Sequence, residues 1–199
     1  MVIAGVDEAG RGPWAGPVVA AAVILRGCVP AGLDDSKRLT ARRREALFAA
    51  LQGSDAIIGI GEASVAEIDA INILQATHLA MTRAVMALGV EPAHVLVDGN
   101  RLPKWRWPAR AIVGGDGLEP AISAASIIAK VTRDTIMAEL DARHPGYGWA
   151  VNQGYGTAAH ADGLRRLGVT VHHRRSFAPI RALIADNPMV SPEGNTTRD

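Results

Sequence analysis

The chain has 199 residues, of which 48% are hydrophobic, and a formal net charge of +1. This length suits one domain with a sizeable core, and the small net charge excludes a broad basic surface. Its single cysteine, Cys28, excludes an internal disulfide and a cysteine-based zinc site, as in proteins of a reducing cytoplasm.

The N-terminus does not have the pattern of a signal peptide, because Asp7 and Glu8 interrupt the apolar stretch. The apolar run over 18–25 is too short to span a bilayer. We therefore expect a cytoplasmic protein with no membrane segment. Local basic clusters could hold nucleic acid, although each alone is better explained as a solvated face. These clusters are 42–44, 101–110, 165–166 and 174–175.

Apolar runs and helical patterns alternate along the first half of the chain. Two apolar runs joined by a short link predict an antiparallel hairpin. Ser64 to Glu67 has the pattern of a capping box and opens a long helical region, which Asn72 divides. The predicted elements are strand 2–6, strand 18–25, a helix over 41–51 capped by Thr40, strand 56–61 and helices over 65–88.

Strands separated by helices follow in the second half, which predicts an α/β domain with a mixed sheet. Pro120 is suited to the first position of a long helix, and Thr157 to the cap of a later one. The predicted elements are strand 94–98, a loop over 100–109, strand 111–113, a helix from 120 to about 142, a loop over 147–156, a helix over 158–167, a basic connector over 172–177 and a short helix over 179–185.

Carboxylates follow three of these strands. Asp7 and Glu8 follow the first strand, Asp98 ends the fourth and Asp116 follows the fifth, all close to glycine. Ligands of open α/β sheets bind at strand ends, and four carboxylates in one pocket require cations. Oxygen ligands select Mg²⁺ or Mn²⁺, and two such ions roughly 4 Å apart can cleave a phosphodiester. The alternative is that each acid is a turn residue, since Asp and Gly favour turns.

The pleat of the first strand limits this interpretation. Successive strand residues point to opposite faces, so Asp7 and Glu8 can share one site only if the regular strand ends at Glu8. Gly10 and Gly12 follow at once and make such an end plausible. Glycines there would also let backbone N–H groups approach a phosphate.

Seven strings of residues, in this order, resemble the ribonuclease HII family. They are Asp7-Glu8-Ala9-Gly10-Arg11-Gly12, Asp35-Ser36-Lys37, Val97-Asp98-Gly99, Gly115-Asp116, the segment 122–134, Gly154-Tyr155-Gly156-Thr157 and His173-Arg174-Arg175-Ser176-Phe177. The resemblance runs from residue 1 to about 184 and implies a ribonuclease-H-like α/β fold, with a five-stranded mixed sheet flanked by helices. It also implies a catalytic domain over 1–142 and a C-terminal helical part over 143–186 that contributes to substrate binding. The polar segment over 187–199, which contains two prolines, predicts a disordered tail.

The resemblance implies an activity as well. The family comprises endoribonucleases that hydrolyse the RNA strand of RNA–DNA hybrids and nick 5′ of single ribonucleotides embedded in duplex DNA. Products carry 5′-phosphate and 3′-hydroxyl ends, and Mg²⁺ or Mn²⁺ is the cofactor, with two ions during catalysis. Roles in ribonucleotide removal and RNA primer removal follow. We expect hybrids and ribonucleotide-containing duplexes as partners, a monomer, and no protein partner.

Individual roles are implied by the matching positions. The implied metal-binding catalytic acids are Asp7, Glu8, Asp98 and Asp116. Asp7 is implied to bridge both ions, and the loop Gly10-Arg11-Gly12 to read the ribose 2′-hydroxyl, which distinguishes RNA from DNA. Tyr155 is implied to stack on the following deoxyribose. Weaker phosphate contacts are implied at Ser36, Lys37, Ser123 and Ser126.

Some of these residues, and the function itself, allow a second interpretation. Tyr155 could plug the edge of the core, and the small residues over 123–126 could permit close helix packing. Asp134 is predicted to be structural or an outer partner of the site, and Gln153 stands where a basic residue is common in the family. A non-catalytic hybrid-binding module and a junction resolvase of the same fold are the alternative functions.

Overall fold

The computed structural model describes residues 2–27, 29–33 and 39–186. The predicted contacts Ser36 and Lys37, and the tail over 187–199, lie outside the described residues. The strands are β1 (Ile3–Ala9), β2 (Val18–Ile24), β3 (Ile57–Ala63), β4 (His94–Asp98) and β5 (Ala109–Ile112). The helices are α1 (Ala41–Gln52), α2 (Val65–Met86), α3 (Pro120–Arg143), α4 (Trp149–Asn152), α5 (Ala158–Leu167) and α6 (Ala178–Asp186), with a 3-10 turn at Gly115–Gly117.

The strands form one five-stranded sheet in the order β3-β2-β1-β4-β5. β2 pairs antiparallel with β1 and β3, whereas β4 pairs parallel with β1 and β5. The predicted hairpin and mixed sheet are therefore confirmed. Because β1 and β4 are parallel neighbours, their carboxyl ends lie side by side at one edge of the sheet.

Helix starts agree with the sequence patterns. The side chains of Thr40 and Thr157 accept hydrogen bonds from the N–H groups three residues on, and Ser64 and Glu67 form the complete capping box. Asn72 breaks α2 with a φ of 67°. Its side chain accepts hydrogen bonds from two following N–H groups, so it caps the second half of that helix.

Three predicted strands have wrong boundaries, and one predicted loop is wrong. β3 runs from Ile57 to Ala63 instead of ending at 61, because Ala63 still pairs with Val18 of β2. β1 continues to Ala9 because its residues keep pairing with β2 as far as Ala9 opposite Val19. β5 begins at Ala109, where pairing with Val95 of β4 starts, and it ends at Ile112. The loop predicted over 147–156 contains α4, a single helical turn bounded by Gly148 and Gln153 at positive φ.

Strand β2, which lies between β3 and β1, is buried at every position, and small side chains let helices approach both of its faces. Ala20 and Ala22 face the core formed with α2, whereas Ala21 and Val23 face the core formed with α1 and α3. A third apolar cluster joins α3 to the C-terminal part. Met137 and Leu140 of α3 belong to it, together with Ala15, Tyr147, Trp149, Leu164, Val169 and Ile180. The domain division predicted between 142 and 143 stays a prediction.

Close approach of α2 to β3 requires glycine. A Cβ atom on Gly61 would overlap the carbonyl oxygen of Ala80. We expect Gly61→Ala to lower the free energy of unfolding by about 1–3 kcal/mol, because backbone in this core must move apart. Urea unfolding measures the effect. Gly53→Ala is the matched control, since its φ is −85° and the nearest atom would be 3.5 Å away. Equal midpoint shifts for both variants would contradict the expectation.

Candidate active site at the ends of β1 and β4

The register of β1 decides which way each of its two acids points. Asp7 lies opposite Ala21, and Glu8 lies opposite Ala20. Directly opposed residues share a face, so Asp7 is on the α3 face and Glu8 is on the α2 face. The strand does not end at Glu8, and the two carboxylates diverge as the pleat requires.

Three aspartates meet at this edge of the sheet. Val6 of β1 pairs with Val97 of β4, so Asp7 and Asp98 follow on neighbouring strands and on the same face. One carboxylate oxygen from each of Asp7, Asp98 and Asp116 lies within 4.8 Å of the others. Glu8 is not in this group, although its charge acts on Asp7.

Backbone and hydroxyl groups hold these carboxylates in place. Asp98 accepts a hydrogen bond of 2.8 Å from the N–H of Gly115, which precedes Asp116. Ser126, from α3, donates a hydrogen bond to Asp7. The hydroxyl of Ser123 donates at 2.5 Å to the carbonyl oxygen of Asp116, which ties the 3-10 turn to α3.

The electrostatics of the group favour a cation. Asp7 is 4% exposed, and burial raises its pKa well above the ordinary value, with the charges of Glu8 and Asp98 adding to the rise. Buried carboxylates that repel one another are compensated by a metal or by protonation. An all-oxygen donor set suits a hard divalent ion. The residues present therefore fit a divalent cation at this place.

A cleft of 280 Å³ opens beside the acids, and the glycine loop and Tyr155 lie on its walls. Gly10 has a φ of 96°, and a Cβ there would overlap the side chain of Arg133. A Cβ on Gly12 would lie 3.3 Å from a ring carbon of Tyr155. Tyr155 is 51% exposed, so it does not plug the core. Lys130 also lines the cleft, where the carboxylate of Asp134 accepts its hydrogen bonds at 2.5 and 2.6 Å.

A sequence model of the ribonuclease HII family matches residues 4–180 of the chain. The chain belongs to the ribonuclease HII family. It is similar to ribonuclease HII of Sphingopyxis alaskensis, with 66% identity over 92% of this chain and 91% of that protein. Ribonuclease HII of Rhizorhabdus wittichii is 63% identical over 90% of this chain and 89% of that protein.

A solved structure agrees with this assignment. Ribonuclease H2 of Pyrococcus horikoshii OT3 aligns with a TM-score of 0.76 and 28% identity, over 94% of this chain and 98% of that chain. The predicted fold class is therefore confirmed. As a family member, the protein is a divalent-metal-dependent endoribonuclease that degrades RNA in RNA–DNA hybrids. Among the residues that the structure describes, no helix could cross a membrane.

Two buried arginines build the cleft of this ribonuclease HII, and their sequence contexts indicate neither role. Arg174 is fully buried, and its guanidinium donates to four carbonyl groups of the segment after β1, namely those of Gly10, Arg11, Gly16 and Pro17. Burial lowers its pKa to about 9, so it stays charged at neutral pH. The sequence pattern places Arg174 in a basic surface cluster, which its burial contradicts.

Arg133 links the two walls of the cleft from α3. Its guanidinium donates to the carbonyl groups of Ala15, Pro17 and Gln153 at 3.0–3.1 Å. Burial lowers its pKa to about 10. One side chain therefore holds both the loop after β1 and the segment that carries Tyr155. Its position in the segment 122–134, which resembles the family, hints at a role for Arg133. The neighbouring residues do not distinguish it from an exposed arginine.

Two buried histidines anchor the backbone of Tyr155. His160 Nδ1 lies 3.0 Å from the carbonyl oxygen of Tyr155, and its Nε2 lies 3.0 Å from both Trp149 Nε1 and His173 Nε2. His173 Nδ1 accepts the N–H of Thr170. Every donor finds an acceptor when both rings are neutral, and burial lowers the pKa of His173 to about 3. These histidines are structural.

We expect Asp7→Asn to abolish cleavage and to stabilise the metal-free fold at neutral pH. The pKa of Asp7 is raised on folding, so the stability it contributes is present at low pH and is lost as the pH rises from about 3.8 through the folded value. Because asparagine does not ionise, the variant does not lose this stability as the pH rises. Thermal unfolding in chelator should place the midpoint of the variant higher at pH 8, by about 2–4 °C for each kcal/mol.

The exposed acid Asp55 supplies the control. Asp55→Asn should leave the midpoint unchanged at both pH 5 and pH 8, and the gap between wild type and Asp7→Asn should narrow toward pH 5. A metal-free Asp7→Asn protein that is less stable than wild type at pH 8 would refute carboxylate repulsion as the cause.

Arg174→Lys tests the buried cation. Lysine keeps the charge but lacks the planar fork of donors, so carbonyl groups of the loop after β1 lose their partners. We expect the free energy of unfolding to fall by about 2 kcal/mol or more. Urea unfolding measures it, with Arg175→Lys as the control because the neighbouring Arg175 is half-buried. Equal stability of the two variants would argue against the hydrogen-bonded clamp.

Proposed function

We propose that this ribonuclease HII nicks duplex DNA 5′ of a single embedded ribonucleotide, in addition to degrading RNA in hybrids. The observation that carries the proposal is the cleft that Gly12, Tyr155 and Ser126 line, because Ser126 also bonds Asp7 of the clustered aspartates. The residues that would recognise the sugar and the acids that would hold the metal then lie next to each other on one surface. The products would carry 5′-phosphate and 3′-hydroxyl ends.

The acids would hold Mg²⁺ or Mn²⁺. Asp7, Asp98 and Asp116 are close enough to share ions, and Asp7 would bridge two of them. A pair of divalent ions would activate a water for attack on the phosphate and stabilise the leaving oxygen. Glu8, which lies 3.3 Å from Arg11 and whose charge acts on Asp7, would complete the set of acidic ligands.

The cleft walls would read the junction between RNA and DNA. Gly10 and Gly12 bring backbone close to the strand without side chains in between, so their polar groups and Arg11 can reach a 2′-hydroxyl. The exposed ring of Tyr155 would stack on the next sugar, where a 2′-hydroxyl would clash.

The α3 serines would act at different distances from the substrate. Ser126 lines the cleft and bonds Asp7, so it is placed for both a phosphate contact and the support of an acid. Ser123 is 3% exposed and bonds the backbone of Asp116, which favours a positioning role.

The protein would act as a monomer in the cytoplasm on ribonucleotides and primers left in DNA. The described chain supplies both cleft walls and all four acids. The C-terminal part, 143–186, would contribute to substrate binding through Tyr155.

A duplex with one ribonucleotide tests the function. We expect wild type to nick it 5′ of the ribonucleotide with Mg²⁺ or Mn²⁺, to leave an all-DNA duplex intact, and to stop in chelator. Tyr155→Ala should lower kcat/KM on this duplex by about tenfold, through loss of one stacked ring. Its effect on a long hybrid should be smaller, because no deoxyribose follows the cleaved site there. Gel electrophoresis of an end-labelled strand gives site and rate together.

The alternatives predict other patterns. A binding module would retain both duplexes without cutting either, and binding would survive Asp7→Asn. A junction resolvase would cut a four-way junction without any ribonucleotide. Equal losses on the embedded ribonucleotide and on the long hybrid with Tyr155→Ala would remove the junction-reading role and leave the nuclease.

A further inference from the structure

A second cleft lies on the opposite side of Glu8 and Arg11. Its volume is 470 Å³, and its floor is formed by α2. Asp98 borders it, and the loop that follows β4 contributes Asn100 and Arg101. The first cleft, lined by Gly10, Gly12 and Tyr155, shares Glu8 and Arg11 with this one. The second cleft therefore continues the surface of the first past the acids, on the α2 face of the sheet.

The cations that line the two clefts differ in what they bind. Lys130 is paired with Asp134, and Arg11 lies 3.3 Å from Glu8. The donors of Arg133 bond carbonyl groups. Arg101 is exposed, and no residue in the described part of the chain bonds its side chain. It is the cleft cation whose charge is left for an external anion.

The residues around Arg101 also line the second cleft. Burial lowers the pKa of His78, and the positive charges of Arg11 and Arg101 lower it further, so both guanidinium groups act on one imidazole. Asn100 is exposed beside them and offers a carboxamide. Arg101 follows the end of β4 closely, so a strand of the core anchors its backbone near Asp98.

A nucleic-acid strand that approaches the acids needs such a group. The clustered carboxylates repel phosphates, and an arginine fork compensates a phosphate through charge-assisted hydrogen bonds. We propose that Arg101, with Asn100 and His78 beside it, binds a backbone phosphate of the substrate duplex on the α2 side of the acids. The inference rests on the proposed function for its substrate, but a phosphate contact is independent of the sugar.

Salt dependence of binding tests this contact. Affinity for a ribonucleotide-containing duplex is measured by fluorescence anisotropy in chelator between 50 and 200 mM KCl. Each phosphate contact contributes about 0.9 to the slope of log K against log salt. We expect Arg101→Ala to reduce the slope by about that amount, and Arg101→Lys to retain it. In cleavage assays the loss should fall on KM rather than kcat.

Arg106 provides the matched control. It belongs to the same loop but pairs with Glu91 at 2.8 Å, and Glu91 precedes the start of β4 at the other edge of the sheet. Arg106→Ala should keep the wild-type slope. Equal slopes for Arg101→Ala, Arg106→Ala and wild type would overturn the proposal, as would a loss confined to kcat.

An all-DNA duplex separates this inference from the proposed function. The slope change of Arg101→Ala should be the same on DNA with and without a ribonucleotide. If nicking at ribonucleotides fails while the slope changes, the junction-reading function falls and the phosphate contact stands. If nicking succeeds and the slope is unchanged, the phosphate contact of Arg101 falls and the junction-reading function stands.

Discussion

Repulsion among carboxylates is the constraint on which the active end of this sheet depends. Asp7, Asp98 and Asp116 bring oxygens within 4.8 Å of one another, and Asp7 and Asp116 are buried. Such a group stays together only when a rigid frame fixes each backbone position. Here the parallel pairing of β1 and β4 fixes two acids, and the hydrogen bond from Gly115 to Asp98 ties the third to them. The fully buried β2 beside β1 supplies the stability that offsets this repulsion.

The acids and the fold class could be predicted because their signals are local. An apolar run that leads into Asp and then Gly indicates a buried strand with the acid at or near its end, although it does not fix the last paired residue. The direction of Glu8 could not be predicted in this way, because it depends on how far β1 continues to pair with β2. That pairing joins Ala9 to Val19 across the hairpin, and it keeps the pleat regular through both acids. Glu8 therefore faces α2, and the set of acids is divided between the two faces of the sheet.

The burial of Arg174 could not be predicted from the residues next to it in the sequence. Arg174 and Arg175 are neighbours in a basic string, yet the first is fully buried and the second is not. What distinguishes them is that carbonyl groups of the loop after β1 accept the donors of Arg174, and no sequence window around residue 174 contains that loop. A buried guanidinium is tolerated there because its donors are used on those carbonyl groups. The exposed Arg101 is the opposite case, since its donors are left for a ligand.

Arg174 also joins the end of the chain to its beginning, because it lies 164 residues after Gly10, whose carbonyl group it binds. A ribosome releases the strand that carries Asp7 well before the segment that carries Arg174. Before that moment, Arg133 can bind the carbonyl groups of Ala15 and Pro17, but those of Gly10, Arg11 and Gly16 lack the donors of Arg174. His173, which supports the backbone under Tyr155 through His160, arrives equally late. The nascent protein therefore gains the full set of hydrogen bonds around the cleft only after the segment that carries His173 and Arg174 has emerged.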